Sequence, residues 1–177
     1  MQANKLLQSA KAYDTYLFCS CAGLRLIPMI AKLSRLLSRT GDGYYYLLIL
    51  AWLYLQQSQA AVIIPGIVLA FVFERFLYYS LKLSFRRNRP AAAIAGFQSL
   101  IKPADQFSFP SGHTSAAFLF ATSMAALFPE AAGLIYLWAC GVGISRFLLG
   151  VHFATDIFMG AVIGFMVGNL MLIGVMQ

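Results

Sequence analysis

The stretch AAGLIYLWACGVGISRFLLGVHFATDIFMGAVIGFMVGNLMLIGV, residues 131–175, sets the architecture of this chain. It holds two apolar runs, 131–149 and 153–175, with only a short joint between them. Because about 20 apolar residues in an α-helix cross the hydrocarbon core of a bilayer, each run predicts a membrane helix. We therefore expect a helical hairpin with chemically active groups at one end. Three such side chains lie at or beside the joint: Arg146, His152 and Asp156.

Three further apolar runs precede this hairpin, at residues 43–57, 60–83 and 113–128. The composition agrees with a membrane protein, because 60% of the residues are hydrophobic and 11% are charged, which is not the usage of a soluble globular chain. We therefore predict an all-α fold, a polytopic membrane helical bundle of about five transmembrane helices. The chain length suits a single domain, 1–177, in which residues 41–177 form the transmembrane bundle.

Residues 1–40 have amphipathic patterns that predict helices lying in the membrane interface. In the second pattern, apolar residues follow helical spacing and basic residues fall mostly on the other side. The apolar set is Leu26, Met29, Ile30, Leu33, Leu36 and Leu37, and the basic set is Arg25, Lys32, Arg35 and Arg39. Such a helix places its basic groups among lipid phosphates. The alternative, a spanning helix over residues 15–37, would bury Arg25 and Lys32 at about 2.5–3.5 kcal/mol each, so we prefer the interfacial prediction.

The net charge of +7 predicts contact with anionic lipid rather than with nucleic acid. The basic residues cluster at the ends of apolar segments, where headgroups and phosphates lie. The cysteines at positions 19, 21 and 140 have neither a disulfide framework nor zinc-site spacing. We therefore predict no metal and no cofactor. The bilayer is the expected partner, and the sequence indicates no obligate protein partner.

The turns between the apolar runs bring three polar motifs to one face of the membrane. Consecutive spans alternate in direction, so the end of one run and the start of the next lie on the same side. The connection over residues 91–109 is partly apolar and longer than a tether requires, and we expect it to cover or line a site. The ends that converge are those at Lys82–Arg89, His113, Arg146 and His152.

The residue types at this face suit the binding of a phosphoryl group. Such a group spreads its charge over three equatorial oxygens, so cations and amide donors stabilise it. Ser111 and Gly112 open the third run, where a hydroxyl and backbone N–H groups at a helix N-terminus make an anion site. The cations are Lys82, Arg89 and Arg146.

The chain contains two histidines, and their positions predict two catalytic roles. His152 and Asp156 are four residues apart, so on a helix the carboxylate accepts from one ring nitrogen and leaves the other to attack phosphorus. His113 then protonates the departing oxygen. Nothing in this scheme needs a metal, and the sequence shows no carboxylate cluster for magnesium.

Each motif alone has a simpler interpretation. A lone histidine at a helix end is usually a polar interface residue, and the arginines of residues 86–89 and Arg146 can extend to headgroups. The combination at one face is what favours catalysis. Within the second run, we expect Glu74 and Arg75 to neutralise each other or to contact another helix, rather than to act in catalysis. In the last run, small residues predict close helix packing, for which we favour contact within the bundle over dimerisation; they are Gly160, Gly164 and Gly168.

Together the motifs resemble the three-part signature of the type 2 phosphatidic acid phosphatase superfamily. That signature reads Lys-x6-Arg-Pro, then Pro-Ser-Gly-His, then Ser-Arg-x5-His-x3-Asp. Residues 82–90, 110–113 and 145–156 match it without departure. The resemblance covers residues 60–175, and the run before it looks similar to that of small bacterial members.

The resemblance implies a helical-bundle membrane enzyme that hydrolyses lipid phosphate esters or anhydrides through a phosphohistidine intermediate. By the positions in the motifs, His152 is the expected nucleophile, Asp156 its orienting partner and His113 the general acid. The vanadium haloperoxidases share the pattern, but they are soluble and this chain is not expected to be. The expected phosphate-binding residues are Lys82, Arg89, Ser111, Gly112, Ser145 and Arg146.

The substrate and the reaction have open alternatives. Polyprenyl diphosphates, phosphatidylglycerol phosphate, phosphatidic acid and lipid A phosphates all present a phosphate at headgroup depth. On resemblance we favour an undecaprenyl-diphosphate-like or phosphatidylglycerol-phosphate-like substrate that enters laterally between helices. The alternatives are transfer of the phosphoryl group to another lipid, and a non-catalytic lipid-phosphate binding or transport protein. The pairing of His152 with Asp156 argues against mere capture, which has no use for it.

Two indications about membrane orientation conflict. The positive-inside rule puts the side that is rich in lysine and arginine in the cytoplasm, and here that is the motif side. Bacterial members that resemble this chain usually work on the outer face of the inner membrane, so we expect a multi-pass bacterial inner-membrane protein with a periplasmic site. The basic residues on the motif side are Lys5, Lys11, Arg25, Lys32, Arg35, Arg39, Arg86 and Arg87.

Overall fold

The computed structural model describes residues 2–56 and 58–175, which form nine α-helices, one 3₁₀ turn and no strand. The predicted all-α bundle is therefore confirmed. The helices are α1 (Gln2–Ser20), α2 (Ala22–Arg25), α3 (Pro28–Thr40), α4 (Gly43–Gln56), α5 (Ser58–Phe85), α6 (Pro90–Ala93), α7 (Gly112–Leu127), α8 (Ala132–Leu148) and α9 (Ala154–Val175), with the 3₁₀ turn at Pro129–Ala131.

Each of the five predicted apolar runs forms a helix, but the helices differ in length. By length and composition, three described segments can cross a membrane: Ile63–Phe85, Pro129–Leu148 and Ala154–Gly174. Helices α4 and α7 have 14 and 16 residues, which makes them about 21 and 24 Å long, shorter than a hydrocarbon core of roughly 30 Å. Helix α7 is enclosed by its neighbours, so its length need not match the lipid.

Helix α7 is the centre of the bundle. It packs against α9, α8 and α5, and most of its residues from Gly112 to Met124 are buried. Many of these residues are glycine, alanine, serine or threonine, which let neighbouring helices approach on several sides. The rest of the bundle thereby surrounds the helix that begins with the Ser-Gly-His motif.

The closest approach is between α7 and α9, at the glycines that the sequence predicts to pack inside the bundle. A Cβ added to Gly160 would lie 2.6 Å from Ser111 O, and one added to Gly164 would lie 2.1 Å from Ser115 O. Real side chains cannot occupy such positions, so the backbones are in direct contact there. The predicted packing role of the ridge is confirmed.

Helix α3 has small residues on one face and apolar residues on another. Ala31, Ser34 and Ser38 are buried, and α3 packs against α8. The outward apolar face agrees with contact between this helix and lipid. The exposed apolar side chains of α3 are Met29, Leu33 and Leu36, and the exposed Leu26 precedes the helix.

Arg25 departs from the prediction that it contacts lipid phosphates. It is 4% exposed, and its guanidinium carbon lies 3.4 Å from the ring centroid of Phe18. The rings of Phe97 and Phe147 are 5.5 and 5.1 Å away. Since no described residue accepts a hydrogen bond from this guanidinium, cation–π attraction and packing hold it. The sequence pattern could not reveal this, because the aromatic rings come from three separate segments.

The connection between α6 and α7 folds back over the motif end of the bundle. Gly150 has a φ of +77°, which favours glycine, and a Cβ at this position would lie 2.6 Å from the ring of Phe97. Both the backbone conformation and the contact with Phe97 therefore require glycine. The connection then brings Ala104 and Asp105 to the wall of the central cavity. The prediction that residues 91–109 line a site is confirmed.

We expect Gly164→Ala to destabilise the bundle, because the new methyl group would meet Ser115 O and overpacking costs about 1–3 kcal/mol. Thermal unfolding in detergent micelles measures the loss as a lower Tm. The matched control is Gly174→Ala on the same helix, where no atom of the described residues lies within 4 Å of an added Cβ, and its Tm should not fall. Equal Tm values for the two variants would contradict the backbone contact between α7 and α9.

Candidate active site

A cavity of about 580 Å³ lies where the motif-bearing ends of the helices meet. Its polar end is lined by Asp42, Arg89, Asp105, His113, Arg146 and His152. Its apolar end is lined by Leu47, Leu50, Val68, Phe71 and Val72, from α4 and α5. A polar pocket that continues into an apolar cleft suits a ligand with an anionic head and a hydrocarbon tail.

The apolar end of the cavity reaches the outer surface of the bundle. Leu47 on α4 is 65% exposed and Val72 on α5 is 61% exposed, although both line the cavity. The space between these helices therefore leads sideways, toward the region that lipid tails occupy.

Two of the three predicted cations face the cavity directly. Arg89 Nη1 donates to Val151 O at 2.7 Å and lies 3.4 Å from His152 Nε2. Arg146 Nη1 donates to Ser38 Oγ at 2.6 Å. The acceptor of Arg146 is neutral and leaves its charge available to an anion, whereas Arg89 also donates to the carboxylate of Asp105.

Asp105 lies between Lys82 and Arg89. Its carboxylate accepts hydrogen bonds from Lys82 Nζ at 2.7 Å, Arg89 Nη2 at 2.7 Å and Tyr78 Oη at 2.6 Å. Burial alone would raise the pKa of Asp105, but these three donors outweigh it and lower the pKa to about 2. A carboxylate thus occupies a position among the predicted phosphate ligands. Neither Asp105 nor Tyr78 belongs to a sequence motif, since Asp105 lies in the long connection and Tyr78 lies within α5.

Lys82 and Ser145 belong to the motifs but do not line the cavity. Lys82 is buried and reaches the cavity through Asp105 and Tyr78, to which it is also hydrogen-bonded. Ser145 is buried in the last turn of α8, where its hydroxyl donates to Val142 O at 2.6 Å. Ser145 therefore supports the end of the helix that carries Arg146.

The start of α7 brings Gly112 and His113 to the cavity wall. Ser111 is the N-cap residue and is fully buried. Its backbone N–H donates to Asp156 O at 3.0 Å, and its hydroxyl accepts from Thr114 Oγ1 at 2.9 Å. The backbone N–H groups of a first helical turn attract anions, but the Ser111 hydroxyl is buried behind the cavity wall rather than presented to it.

His152 and Asp156 are neighbours, as their spacing predicts, but they are not joined as expected. Helix α9 begins at Ala154, so His152 precedes it, and His152 Nδ1 lies 3.7 Å from Asp156 Oδ2, which is too far for a hydrogen bond. No described residue bonds to that nitrogen. Asp156 instead accepts from the backbone N–H of Phe153 at 2.8 Å, as an acidic residue in a first helical turn commonly does.

Arg87 connects Asp156 to the N-terminal helix. Its Nη1 donates to Asp156 Oδ1 at 2.8 Å, and its Nη2 donates to Asp14 Oδ2 at 2.6 Å. Asp14 also accepts from the backbone N–H of Thr155 at 3.1 Å. The interpretation that arginines 86–89 merely extend to headgroups is therefore wrong for Arg87, and α1 supports the residue behind His152.

Asp42 is another residue of the site that the sequence motifs do not include. Its Oδ1 lies 3.1 Å from His113 Nε2, and both residues line the cavity. Asp42 lies in the Gly-Asp-Gly break before α4, which the sequence marks as a turn but not as a partner for a histidine. Burial and the nearby Arg146 disfavour the protonated imidazole of His113, and the Asp42 carboxylate opposes them.

Glu74 and Arg75 form the ion pair that the sequence predicts. Arg75 Nε and Nη2 each donate to a carboxylate oxygen of Glu74 at 2.6 Å, and Glu74 is fully buried. Arg75 also lines the cavity, and its Nη2 donates to Gly112 O at 3.2 Å.

The carboxylates of the site are dispersed among cations and a histidine. Asp42, Asp105 and Asp156 have different partners, and in the part of the chain that the structure describes no group of three His, Cys, Asp or Glu side chains is placed to hold a metal ion. The cavity presents guanidinium groups and backbone N–H donors to an anion, and an ammonium group lies nearby.

Comparisons with known proteins agree with this geometry. The family model described as the PAP2 superfamily matches residues 63–177, which contain all three motifs. The crystal structure of LpxE from Aquifex aeolicus is similar with a TM-score of 0.77 at 30% sequence identity, over 89% of this chain and 93% of that chain. The crystal structure of the first transmembrane PAP2-type phosphatidylglycerolphosphate phosphatase from Bacillus subtilis is similar with a TM-score of 0.73 at 25% identity, over 93% and 85%.

We expect His152 to titrate well below the usual range for histidine. Burial lowers its pKa to about 4, Arg89 and Arg146 act in the same direction, and Asp156 opposes them. The ring is therefore neutral above pH 4 and keeps a lone pair for attack. Because the chain has two histidines, His113→Gln with a histidine-free purification tag leaves one imidazole signal to follow by NMR. A midpoint at or above pH 6.5 would contradict the buried, cation-flanked environment.

Proposed function

The chain belongs to the PAP2 superfamily and is a membrane lipid phosphatase, and we propose that it hydrolyses a lipid phosphate or diphosphate through a phosphohistidine formed on His152. The observation that carries this proposal is the position of His152 beside Arg89 and Arg146, at the polar end of a cavity whose other end is an apolar cleft. A lipid phosphate has both the anionic head and the hydrocarbon tail that such a cavity accommodates.

The hydrocarbon tail is proposed to enter between α4 and α5. The apolar wall there includes residues that are exposed on the outside of the bundle, such as Leu47 and Val72. A lipid moving within the bilayer can therefore slide its phosphate to the polar end while its tail stays between the helices. No passage of the tail through water is needed, which avoids the cost of exposing it.

The phosphate is proposed to take the place of Asp105 as the partner of the cations. Arg89 and Arg146 offer planar guanidinium forks that match phosphate oxygens, and Lys82 becomes available once Asp105 is displaced. The backbone N–H groups at Gly112 add neutral donors. Ser111 and Ser145 act from behind the wall, by holding the start of α7 and the end of α8.

In the first half of the reaction, a ring nitrogen of neutral His152 attacks phosphorus. The N–P bond forms as the bond from phosphorus to the lipid oxygen breaks, and His113 donates its proton to that oxygen. Asp42 stabilises the protonated His113 before the transfer. Asp156 is proposed to balance the positive charge that develops on His152, from the 3.7 Å distance seen in the resting site.

In the second half, water attacks the phosphorus of the phosphohistidine. His113, now neutral, takes a proton from that water as the O–P bond forms and the N–P bond breaks. Orthophosphate is released, and both histidines return to their starting protonation states. The cations hold the equatorial oxygens through both halves, which is how this class of reaction is stabilised.

For the substrate we favour an undecaprenyl-diphosphate-like or phosphatidylglycerol-phosphate-like lipid. One structural relative is named as a phosphatidylglycerolphosphate phosphatase, which supports a phospholipid with a terminal phosphate. The cleft between α4 and α5 is apolar along its length and places no demand on the kind of tail, so it suits either an acyl or a prenyl chain.

We also propose that the site faces the periplasm of a bacterial inner membrane. Two of the basic residues on the motif side are internal in the folded chain. Arg25 is enclosed by aromatic rings, and Arg87 is paired with Asp14 and Asp156. Neither is available at the membrane surface once the protein has folded.

The function is tested by phosphate release from a panel of lipid phosphates in detergent, with EDTA present and His152→Ala alongside. We expect release from at least one lipid, no effect of EDTA, and a loss of about 1000-fold or more in the variant, because the nucleophile is gone. Release by His152→Ala at the wild-type rate would exclude His152 as the nucleophile. Label appearing on a second lipid would indicate transfer instead of hydrolysis, and no release from any lipid would favour a binding protein.

The role of Asp42 predicts a defect that depends on the leaving group. We expect Asp42→Asn to slow release from a lipid alcohol phosphate about 10- to 100-fold, because His113 is then less able to supply the proton. Hydrolysis of p-nitrophenyl phosphate should change little, since p-nitrophenolate leaves without a proton. Glu130→Gln removes an exposed carboxylate at the opposite end of α7 and is the control for charge. An equal loss on both substrates would show that Asp42 does not act through leaving-group protonation.

A further inference from the structure

We propose that Arg75 forms a second anion subsite beside the reacting phosphate, and that this subsite favours lipids with two phosphates in tandem over lipids with one. The proposal rests on the proposed function, because it specifies which lipid phosphates the same cavity takes. Arg75 lies outside the three sequence motifs. Its ion pair with Glu74 accounts for its charge but not for its place on the cavity wall.

Arg75 lies on the lipid side of the proposed phosphate ligands. On α5 it falls between Val72, in the apolar wall, and Tyr78, at the polar end. It precedes Lys82 by two helical turns, or about 10 Å along the axis. A lipid whose reacting phosphate is at the polar end therefore passes Arg75 with the part of the molecule that joins this phosphate to the tail.

The guanidinium of Arg75 also adjoins the start of α7. Its Nη2 donates to Gly112 O at 3.2 Å, and its Nη1 would lie 3.3 Å from a Cβ added to Gly112. Gly112 is one of the proposed ligands of the reacting phosphate. A second phosphate that is linked to the first through one oxygen or a short glycerol unit therefore falls within reach of Arg75.

The guanidinium is held in place from two sides. Glu74 accepts two hydrogen bonds from it, and the Ser115 hydroxyl donates in turn to Glu74. The ring of Tyr78 lies 4.5 Å from the guanidinium carbon. No described residue accepts from Nη1, and 38% of the side chain is exposed. An arginine that is already oriented, with an unoccupied edge toward the cavity, loses little entropy when it binds a phosphate.

If the ion pair of Glu74 and Arg75 were purely structural, the Arg75 side chain would not need to be exposed to the cavity. The Ser115 hydroxyl joins Glu74 to α7, and neutralising a buried carboxylate requires only that the cation be near it. The structural role and the subsite role make different predictions, because only the subsite distinguishes substrates by their number of phosphates.

The test compares farnesyl diphosphate with farnesyl phosphate, which have the same tail and differ in the second phosphate. The variant is Glu74→Gln with Arg75→Gln, because removing Arg75 alone would leave Glu74 buried without a cation. For the wild type we expect a higher kcat/KM on the diphosphate. In the double variant, kcat/KM for the diphosphate should fall about 10- to 100-fold, as expected for the loss of charge-assisted hydrogen bonds, while the value for the monophosphate stays near that of the wild type.

Two further variants serve as controls. Glu74→Gln keeps Arg75 and should keep the preference for the diphosphate, and Arg39→Gln removes an exposed arginine that does not line the cavity and should change neither substrate. If the double variant does not fold, Arg75→Lys, which keeps the charge and loses the fork, should show a partial loss on the diphosphate alone. An equal loss on both substrates, or an unchanged preference, would overturn the subsite while the phosphatase function stands. No release from either substrate or from any lipid phosphate by the wild type would overturn the function, and the subsite with it.

Discussion

The contact between α7 and α9 assembles the site. Backbone meets backbone at the glycine ridge, and the N–H of Ser111 donates to the carbonyl of Asp156 at 3.0 Å. That single hydrogen bond joins the second sequence motif to the third, so the start of α7 and the start of α9 have one relative position. His113 and His152, which belong to different segments, face the same cavity as a result. A larger side chain in the ridge would displace the motifs relative to each other, so packing and chemistry are inseparable here.

Charge pairing is the second principle of the structure. A cation buried in an apolar bundle costs several kcal/mol unless it is compensated, and most of the buried or partly buried cations here have an anionic or aromatic partner. Arg146 differs, because among the described residues its hydrogen-bond acceptor is the neutral Ser38, and its Nε has none. It is therefore the cation of the cavity that gains most from an anionic ligand. The pairs are Lys82 and Arg89 with Asp105, Arg87 with Asp14 and Asp156, Arg75 with Glu74, and Arg25 with phenylalanine rings.

Local pattern predicts the helices and the convergence of the motifs, because apolar length and the alternation of spans depend on nearby residues alone. It does not predict Asp42 or Asp105, since each is a single acidic residue in an irregular segment whose path is set by tertiary contacts. Arg25 was misjudged for a related reason, because its aromatic partners come from distant segments. The spacing of His152 and Asp156 suggested a helical contact, but α9 begins only at Ala154. The carboxylate caps that helix instead of bonding to the ring.

Asp105 also bears on how the enzyme turns over. Because the connection to α7 tethers it beside Lys82 and Arg89, this carboxylate acts as a built-in competitor, and tethered groups of this kind have effective concentrations in the millimolar range. In the proposed mechanism, each ligand that binds displaces Asp105, and Asp105 returns when the ligand leaves. Orthophosphate that has been released from its lipid has no tail in the cleft, so it competes less well with Asp105 for the cations. Asp105 thus restores the ion pairs of the empty site after each turnover. We expect inhibition by orthophosphate to be weak until its concentration approaches the effective concentration of the Asp105 carboxylate.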